Sequence, residues 1–289
     1  MTVQPRIGLE IHVRPVTKTK LFCTCEAGFG GRPNTRCCPR CLGLPGSMPK
    51  LNEQAVRQAV KAGLALGCEI PSKSVFVRKG YSYPDLPKGY QITQWEDPIC
   101  RDGRVELSGK KIGIFRIQLE EDAGKMIHDR GACTLVDYNR CGLPLLEIVT
   151  APELESPEQA AAFVKELIAR LRKYGIAECR MEQGGLRMDV NVSLNGGERV
   201  EIKNINSIRF MGKALRYEIG RQRELLEQGG AVSYETRRYD ERQEITVHMR
   251  SKEQSPDYRF FPEPDLPPLL LSREDIAAAR RELDQTDHG

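Results

Sequence analysis

The clearest chemical signal in the sequence is a group of cysteines near the N-terminus. Residues 23–41 read CTCEAGFGGRPNTRCCPRC and contain five of the ten cysteines of the chain. A C-x-C knuckle and a C-x-x-C knuckle joined by a loop rich in Gly, Pro and Asn can close a tetrahedral site of four thiolates, which suits Zn²⁺. Cys37 competes with Cys38, but only Cys38 has the C-x-x-C spacing to Cys41. The predicted zinc ligands are Cys23, Cys25, Cys38 and Cys41.

Four thiolates fill every position around a tetrahedral zinc ion, so this metal would hold the loop in place and do no chemistry. The alternatives are a redox or catalytic pair of cysteines, or buried thiols without a metal. The remaining five cysteines are scattered and are predicted to be inert: Cys68, Cys100, Cys133, Cys141 and Cys179.

Acidic side chains on several predicted strands form the second chemical signal. Polarity alternates along residues 6–14, so Glu10 and His12 project from the same face of a strand. The other acidic segments are LEED (119–122), PLLEIVT (144–150), which contains Glu147, and LRMDVNVSL (186–194), in which Arg187, Asp189, Asn191 and Ser193 share one face. These strands could aim their carboxylates at one surface.

Several like charges brought together away from water are costly unless a cation neutralises them. Carboxylate oxygens with one imidazole suit Mg²⁺ or Mn²⁺, and such ions bridge nucleotide phosphates during phosphoryl transfer. The pattern therefore indicates a site for a divalent cation and a nucleotide. The alternative is a solvated polar face, and Glu147 taken alone would be an ordinary edge residue.

Cations and aromatic rings that could contact a nucleotide are concentrated in residues 78–91, which read RKGYSYPDLPKGYQ. The cations suit phosphate oxygens, and the rings offer faces on which a base can stack. The sequence has neither a G-x-x-x-x-G-K-[ST] phosphate loop nor the glycine-rich loop of protein kinases with its partner motifs. A nucleotide site in this chain would have to be of another kind.

The elements that position these residues belong to an α+β fold. Helices are predicted over 52–66 with Asn52 as the cap, from Ser156-Pro157 to Tyr174, over about 209–228, and from Ser272, where SRED is a capping-box pattern. Strands are predicted over 6–14 and near 112–120, 133–138, 144–150, 186–194, 199–204, 233–238 and 245–250. Strands that follow one another without helices between them favour a largely antiparallel sheet.

Composition is that of an ordinary folded protein. Of 289 residues, 39% are hydrophobic and 29% are charged, and the net charge is +4. This balance argues against disorder, and the small basic excess permits an anionic partner without indicating one. No apolar run approaches the roughly 18 residues that span a bilayer, and the N-terminus has no signal pattern. A cytosolic (cytoplasmic) protein without membrane contact is therefore expected.

Many short segments, taken in order, resemble one known family. They are GLEIHV (8–13), the cysteine cluster with CLGLPG, YPDLPKGYQITQ (83–94), LEEDAGK (119–125), LVDYNRCGLPLLEIVT (135–150), MEQGGLRMDVNVS (181–193), VEIKNINS (200–207), YETR (234–237), MRSKE (249–253) and DYRFFPEPDLPPL (257–269). Together they closely resemble the B subunit of the aspartyl/glutamyl-tRNA amidotransferase. The resemblance covers nearly all of residues 6–270.

This resemblance implies a cradle-shaped catalytic domain related to glutamine synthetase and the guanidino kinases. The implied reaction uses ATP and Mg²⁺ to phosphorylate the side-chain carboxylate of misacylated Glu-tRNA(Gln) or Asp-tRNA(Asn). Ammonia from a separate amidase (A-type) subunit then displaces phosphate, and a small C-type subunit links the two chains. The alternatives are a short paralogue that activates another carboxylate, and a non-catalytic scaffold that docks an amidase or tRNA.

The resemblance also implies roles for individual residues. The best magnesium ligands are His12, Glu121 and Glu147, with help from Glu10. Strict alternation along residues 112–120 puts Glu120 with Arg116 and Gln118 and leaves Glu121 on the apolar side, whereas a bulge would reverse this, so the choice between Glu120 and Glu121 stays open. The other implied site residues are Asp189 and Asn191 for a second metal position, and Lys79, Tyr83, Lys88 and Arg187 for ATP or the acyl phosphate.

The implied domain organisation is a catalytic cradle over residues 1–270, with a zinc-binding insertion at about 22–45, followed by a short helix in 271–289. Members of the family usually run longer, with a helical domain and a tail domain that grip the tRNA. The sequence is therefore expected to be either a trimmed chain or a naturally short relative, with weak tRNA binding on its own.

Overall fold

The computed structural model describes residues 4–128, 131–251 and 258–288. Its strands are β1 (Pro5–Val13), β2 (Lys73–Ser74), β3 (Phe76–Gly80), β4 (Tyr90–Gln94), β5 (Cys100–Leu107), β6 (Lys110–Glu121), β7 (Lys125–Ile127), β8 (Leu135–Asp137), β9 (Pro144–Thr150), β10 (Leu186–Leu194), β11 (Val200–Ile205), β12 (Glu235–Asp240), β13 (Ile245–Ser251), β14 (Phe261–Pro262) and β15 (Leu269–Leu270). Its α-helices are α1 (Pro39–Leu42), α2 (Glu53–Ala65), α3 (Pro157–Lys173), α4 (Ile208–Glu227) and α5 (Arg273–His288).

A large sheet of eight strands organises the described part of the chain, in the order β13-β12-β11-β10-β1-β9-β6-β5. Six of its strand pairs are antiparallel, and β11 and β12 are parallel. The parallel pair has a physical cause, because the 20-residue helix α4 connects these two strands and a crossover of this kind returns the chain in the same direction. The predicted α+β class with a largely antiparallel sheet is confirmed.

Helices α2, α3 and α4 cover one face of the large sheet. The central strand β1 shows why: Ile7, Leu9, Ile11 and Val13 are at most 1% exposed and point into this layer. Apolar residues of α3 and α4, including Phe163 and Leu215, meet them there. The period of two along a strand then sends the polar residues of β1 to the opposite face.

The ends of the helices agree with the sequence patterns. The Asn52 side chain accepts hydrogen bonds from the main-chain N–H groups of Gln54 and Ala55, and Ser156 caps α3 by accepting from Gln159. Ser272 and Asp275 form a reciprocal capping box, in which each side chain accepts from the other residue's main-chain N–H. The four predicted helices are therefore confirmed. Most of their ends lie within a residue or two of the predicted positions.

A small sheet of β14, β3 and β4 lies over the open face of the large sheet, where β4 contacts β6. The sequence reasoning did not predict β3, β4 or β5. Two of them, β3 and β4, come from the segment with cations and aromatic rings, whose many turn-forming and charged residues hide the alternation. This small sheet turns the open face into a cleft.

Parts of two segments behind the family resemblance, residues 252–253 and residue 257, lie outside the described residues, as does Gly289 of the predicted C-terminal helix. In the described ranges, no helix is long and apolar enough to span a membrane. Helix α5 packs on α2, where Glu282 forms ion pairs with Arg57 and Lys61.

Candidate active site and cysteine cluster

Strand register decides which acidic residues meet on the open face of the large sheet. His12 of β1 lies directly opposite Glu147 of β9, and Glu10 lies opposite Asp189 of β10. Glu147 in turn lies opposite Gln118 of β6. Four neighbouring strands thereby bring polar side chains to the floor of one cleft, as the alternation of the sequence predicts.

His12 is the centre of the carboxylate cluster. Its Nε2 atom lies 3.4 Å from Glu147 Oε2, 3.5 Å from Glu120 Oε1 and 3.9 Å from Glu10 Oε1. Ligand atoms of Glu10, His12 and Glu147 all lie within 4.8 Å of one another. This spacing suits a single cation that is shared by carboxylate oxygens and one imidazole.

The electrostatics of the cluster show how strongly it favours a cation. Burial disfavours a charged imidazole, but the hydrogen bond to Glu147 and the charges of Glu120 and Glu10 outweigh it and raise the pKa of His12 to about 9. Burial and the charge of Glu147 raise the pKa of Glu120 to about 7 and also raise the pKa of Glu10. The carboxylates compete for too little positive charge, so a divalent ion would relieve their repulsion.

The structure decides between Glu120 and Glu121. A bulge interrupts the pairing of β6 with β9, but it falls between Ile114 and Arg116, so alternation continues unbroken from Arg116 to Glu121. Glu120 therefore faces His12 and accepts a hydrogen bond from Thr93 Oγ1 at 2.9 Å. Glu121 points to the other side, where its Oε1 accepts from the main-chain N–H of Ile92. Of the two, Glu120 lies near His12 and the expected ligand Glu121 does not, although only Glu10, His12 and Glu147 form a mutually close ligand group; metal ligation by these residues stays a prediction.

Lys88 also lies away from the cluster, although it was expected to contact the nucleotide. Its Nζ forms an ion pair with Glu121, and the two side chains are 7% and 2% exposed. Its ammonium also lies 5.2 Å from the centre of the Tyr90 ring. A lysine held in this way has its charge satisfied within the protein, because a buried carboxylate needs a partner.

The other residues expected to bind ATP or a second metal have mixed positions. Lys79 lines the cleft with its Nζ 4.8 Å from the centre of the Tyr258 ring, and Asn191 lines it as well.

Asp189 lies beside Glu10 but accepts a hydrogen bond from Lys203 Nζ at 2.9 Å. Arg187 donates to Asp122 at 2.7 Å, and Tyr83, 57% exposed, is not part of the cleft lining.

The cleft has a volume of about 770 Å³, which is large enough for a nucleotide. Sequence reasoning missed part of its wall: Thr93, Trp95, Arg116, Lys203, Tyr258 and Phe260. The indole of Trp95 stacks on Phe260 with ring centres 4.7 Å apart. The sequence did contain a pattern that could have identified Arg116 as a cleft residue, since it alternates in step with Gln118 and Glu120 along the same strand. The aromatic residues come from separate segments, so no local pattern could have joined them.

The cysteine cluster lies at the end of β1, in the segment before α2. The sulfur atoms of Cys23, Cys25, Cys38 and Cys41 all lie within 4.8 Å of one another, and Cys37 is not in this group. Zinc with four thiolates at about 2.3 Å each requires such a set. The four cysteines chosen by their spacing therefore lie together, and zinc ligation by them stays a prediction.

The surroundings of the cluster favour a thiolate at Cys41, whereas the hydrogen bond to Cys41 raises the pKa of Cys23 and burial raises the pKa of Cys25. The hydrogen bond from Cys23, together with the main-chain N–H of Cys38 and the charge of Lys20, lowers the pKa of Cys41 to about 4. Lys20 is fully buried, with its Nζ 3.7 Å from Cys41 Sγ and 3.1 Å from the main-chain oxygen of Tyr138. A buried ammonium beside Cys41 offsets part of the negative charge that a four-thiolate zinc site would carry.

Comparison with known proteins shows the family of this chain. The family model of the GatB/GatE catalytic domain matches residues 5–277. The chain therefore belongs to the GatB/GatE catalytic-domain family.

Three similar proteins carry the name of the B subunit of the aspartyl/glutamyl-tRNA(Asn/Gln) amidotransferase. The protein of Ruminiclostridium cellulolyticum is 52% identical over 96% of this chain, and that of Carboxydothermus hydrogenoformans is 50% identical over 96%. The protein of Thermoanaerobacter pseudethanolicus is 48% identical over the whole chain. The chain spans about 60% of the length of these relatives.

Proposed function

We propose that this chain activates the side-chain carboxylate of misacylated Glu-tRNA(Gln) or Asp-tRNA(Asn) by phosphorylation with ATP, and that ammonia then converts it to the amide. The observation that carries the proposal is that the carboxylates of Glu10, Glu120 and Glu147, which line a nucleotide-sized cleft, all lie within 3.9 Å of the His12 imidazole. The names of the relatives, which are amidotransferase subunits acting on these tRNAs, support the choice of substrate.

The chemistry follows from the poor reactivity of a carboxylate. A carboxylate oxygen attacks the terminal phosphorus of ATP, ADP leaves, and the resulting acyl phosphate carries a good leaving group. Ammonia then attacks the acyl carbon, and phosphate departs. The protein has little covalent work to do, so its residues act by positioning and by neutralising charge.

Each part of the cleft has a task in this scheme. Glu10, His12, Glu120 and Glu147 would hold Mg²⁺ or Mn²⁺, which supplies charge neutralisation at the phosphates when it is bound. Lys79 projects into the cleft from the small sheet, where its ammonium meets phosphate oxygens. Asp189 and Asn191 lie on the adjacent strand β10 and are the candidates for a second metal position.

The four cysteines would hold one structural Zn²⁺. The donor set fits, since four sulfur atoms from two knuckles meet beside a buried lysine. A closed site of four thiolates leaves no position for substrate, so this metal keeps the segment between β1 and α2 in place.

The reaction also implies partners. Ammonia released into water would be lost before it reached the acyl phosphate, so we propose that an amidase (A-type) subunit delivers it. A small C-type linker subunit and the acceptor end of the tRNA complete a cytoplasmic complex. The large sheet would serve as the cradle of the glutamine synthetase type that the resemblance implies. Residues 1–270 form this catalytic unit in our proposal, and 271–289 begin a helical region.

An assay of ATP hydrolysis tests the proposal. The chain is mixed with amidase and linker subunits, Mg²⁺, glutamine and Glu-tRNA(Gln) or Asp-tRNA(Asn), and ADP and amidated tRNA are measured. We expect ADP formation that needs both Mg²⁺ and the misacylated tRNA. ADP formation with another carboxylate in place of the tRNA would point to a different substrate, and the absence of any nucleotide binding would refute a catalytic role.

A further inference from the structure

Arg116 is a cation at the edge of the carboxylate cluster, near enough for its charge to act on Glu147 but not joined to it by an ion pair. It lines the cleft with Glu147 and Glu120, and no ion pair joins it to a carboxylate among the described residues. Its neighbours on this face differ: Arg187 is paired with Asp122, and Lys203 with Asp189.

Two contacts fix the orientation of this side chain, and each contact partner is itself held by a further residue. The Arg116 Nε donates to Gln118 Oε1 at 2.9 Å, and the guanidinium carbon lies 5.1 Å from the centre of the Trp95 ring. Gln118 is itself oriented, because its amide nitrogen donates to the main-chain oxygen of Gln94. Trp95 is backed by the stacked ring of Phe260. The guanidinium is thus held before any ligand arrives.

In these contacts one flat face of the guanidinium lies against the Trp95 ring, and its Nε atom is hydrogen-bonded to Gln118. The two terminal nitrogens make no hydrogen bond with a described residue. A guanidinium whose outer nitrogens are free and coplanar matches an anion with two coplanar oxygens, and carboxylates have this shape. A carboxylate that enters this cleft also approaches the negative charges of Glu120 and Glu147, and Arg116 adds a positive charge on the side from which the substrate is bound.

We propose that Arg116 binds the side-chain carboxylate of the substrate through its two terminal nitrogens, which makes it a substrate-orienting residue of the reaction. This inference rests on the proposed function. One carboxylate oxygen forms the bond to the terminal phosphorus of ATP, and the bond from that phosphorus to the bridging oxygen breaks. ADP leaves with the electron pair, and the second oxygen stays on Arg116 as the carbonyl oxygen.

The test compares Arg116→Gln and Arg116→Lys with Arg101→Gln in the assembled enzyme. Arg101 is the matched control because it lies directly opposite Arg116 on β5 but is engaged by Glu69. For Arg116→Gln we expect kcat/KM for the misacylated tRNA to fall about 100-fold, while the Kd for Mg·ATP, measured with the chain alone, stays within about twofold. Arg116→Lys should recover only part of the loss, because an ammonium cannot bind both oxygens in parallel. Arg101→Gln should behave as the parent.

A binding measurement isolates the carboxylate itself. The parent enzyme should bind Glu-tRNA(Gln) more tightly than the amide product Gln-tRNA(Gln), and Arg116→Gln should abolish this preference. An equal loss of Mg·ATP affinity in Arg116→Gln would overturn the inference in favour of a phosphate contact, and parent-like kinetics would overturn it outright. If the parent enzyme itself fails to use ATP, the proposed function fails, which is a separate result.

Discussion

His12 and Glu147 are direct neighbours on adjacent antiparallel strands, with the imidazole Nε2 3.4 Å from the carboxylate oxygen. Two more carboxylates, those of Glu10 and Glu120, approach the same imidazole. One proton on His12 offsets one of the three carboxylate charges, whereas a divalent cation offsets two, which makes this pair the natural place to test the proposed site.

Glu147→Gln should weaken divalent-cation binding without unfolding the protein. The change keeps the shape of the side chain and removes one charge, and a charged contact is worth roughly 1.5–3 kcal/mol, or about 10- to 150-fold in affinity. Titration with Mn²⁺ measures the effect, and Mg²⁺-dependent ATP turnover should fall with it. Glu106→Gln, on the exposed surface of β5, is the control. Parent-like Mn²⁺ affinity in Glu147→Gln would refute the assignment of the ligands.

Divalent-cation binding should release protons and strengthen with pH. Burial opposes a charge on His12, but its hydrogen bond to Glu147 and the nearby carboxylates raise its pKa to about 9, so the metal-free protein carries a proton there at neutral pH. A ligand imidazole must be neutral, and therefore affinity should rise as pH increases toward about 9 and level off above it. Calorimetry in buffers of different ionisation enthalpy counts the protons released. Binding that is independent of pH between 6 and 9 (a range set by the usual pKa of histidine, about 6.5, and the raised one) would exclude His12 as a ligand.

The purified protein should contain about one equivalent of zinc per chain, as expected for a site of four thiolates. Cys41→Ser should lose the metal, because it removes one of the four predicted ligand sulfur atoms. Cys37→Ser is the matched control, since Cys37 neighbours Cys38 but is outside the group of four. Elemental analysis of the three proteins gives the answer. If Cys37→Ser lost the zinc and Cys41→Ser kept it, Cys37 would be a zinc ligand and Cys41 would not.

Lys88→Met should destabilise the fold and should not act through nucleotide contacts. It leaves Glu121 buried without its partner, which costs about 3–5 kcal/mol in the free energy of unfolding. Denaturant unfolding measures this loss, and the double variant Lys88→Met with Glu121→Gln should recover part of it. The exposed Lys125→Met serves as the control. A variant of full stability with weakened Mg·ATP binding would return Lys88 to the nucleotide site.

Local patterns were sufficient for much of this site. The alternation of β1 placed Glu10 with His12, and that of β10 placed Asp189 with Asn191, each pair on one face of its own strand, because side chains of a strand alternate whatever the surrounding fold. The C-x-x-C spacing identified Cys38 and Cys41 for a similar reason, since one short turn fixes the distance between them. Helix starts were equally local, as the capping hydrogen bonds accepted by the side chains of Asn52, Ser156 and Ser272 come from main-chain N–H groups within three residues of the cap.

Choices between neighbouring side chains required the tertiary structure. Glu120 and Glu121 are adjacent acidic residues, and the position of one bulge and the partner Lys88 decide which faces His12. Lys79 and Lys88 are both lysines of one aromatic segment, yet Lys79 reaches the cleft and Lys88 is buried against Glu121. Charge pairing across the chain makes this difference, and spacing in the sequence does not record it.

The sequence by itself determined the α+β class, the face of each acidic strand and the cysteine knuckles, because each depends on interactions between residues close together in the chain. Only the tertiary structure decided which strands lie side by side, and therefore that His12 meets Glu147 and that Arg116 is held between Gln118 and Trp95. Those contacts depend on strand order and register, which the packing of the whole sheet fixes.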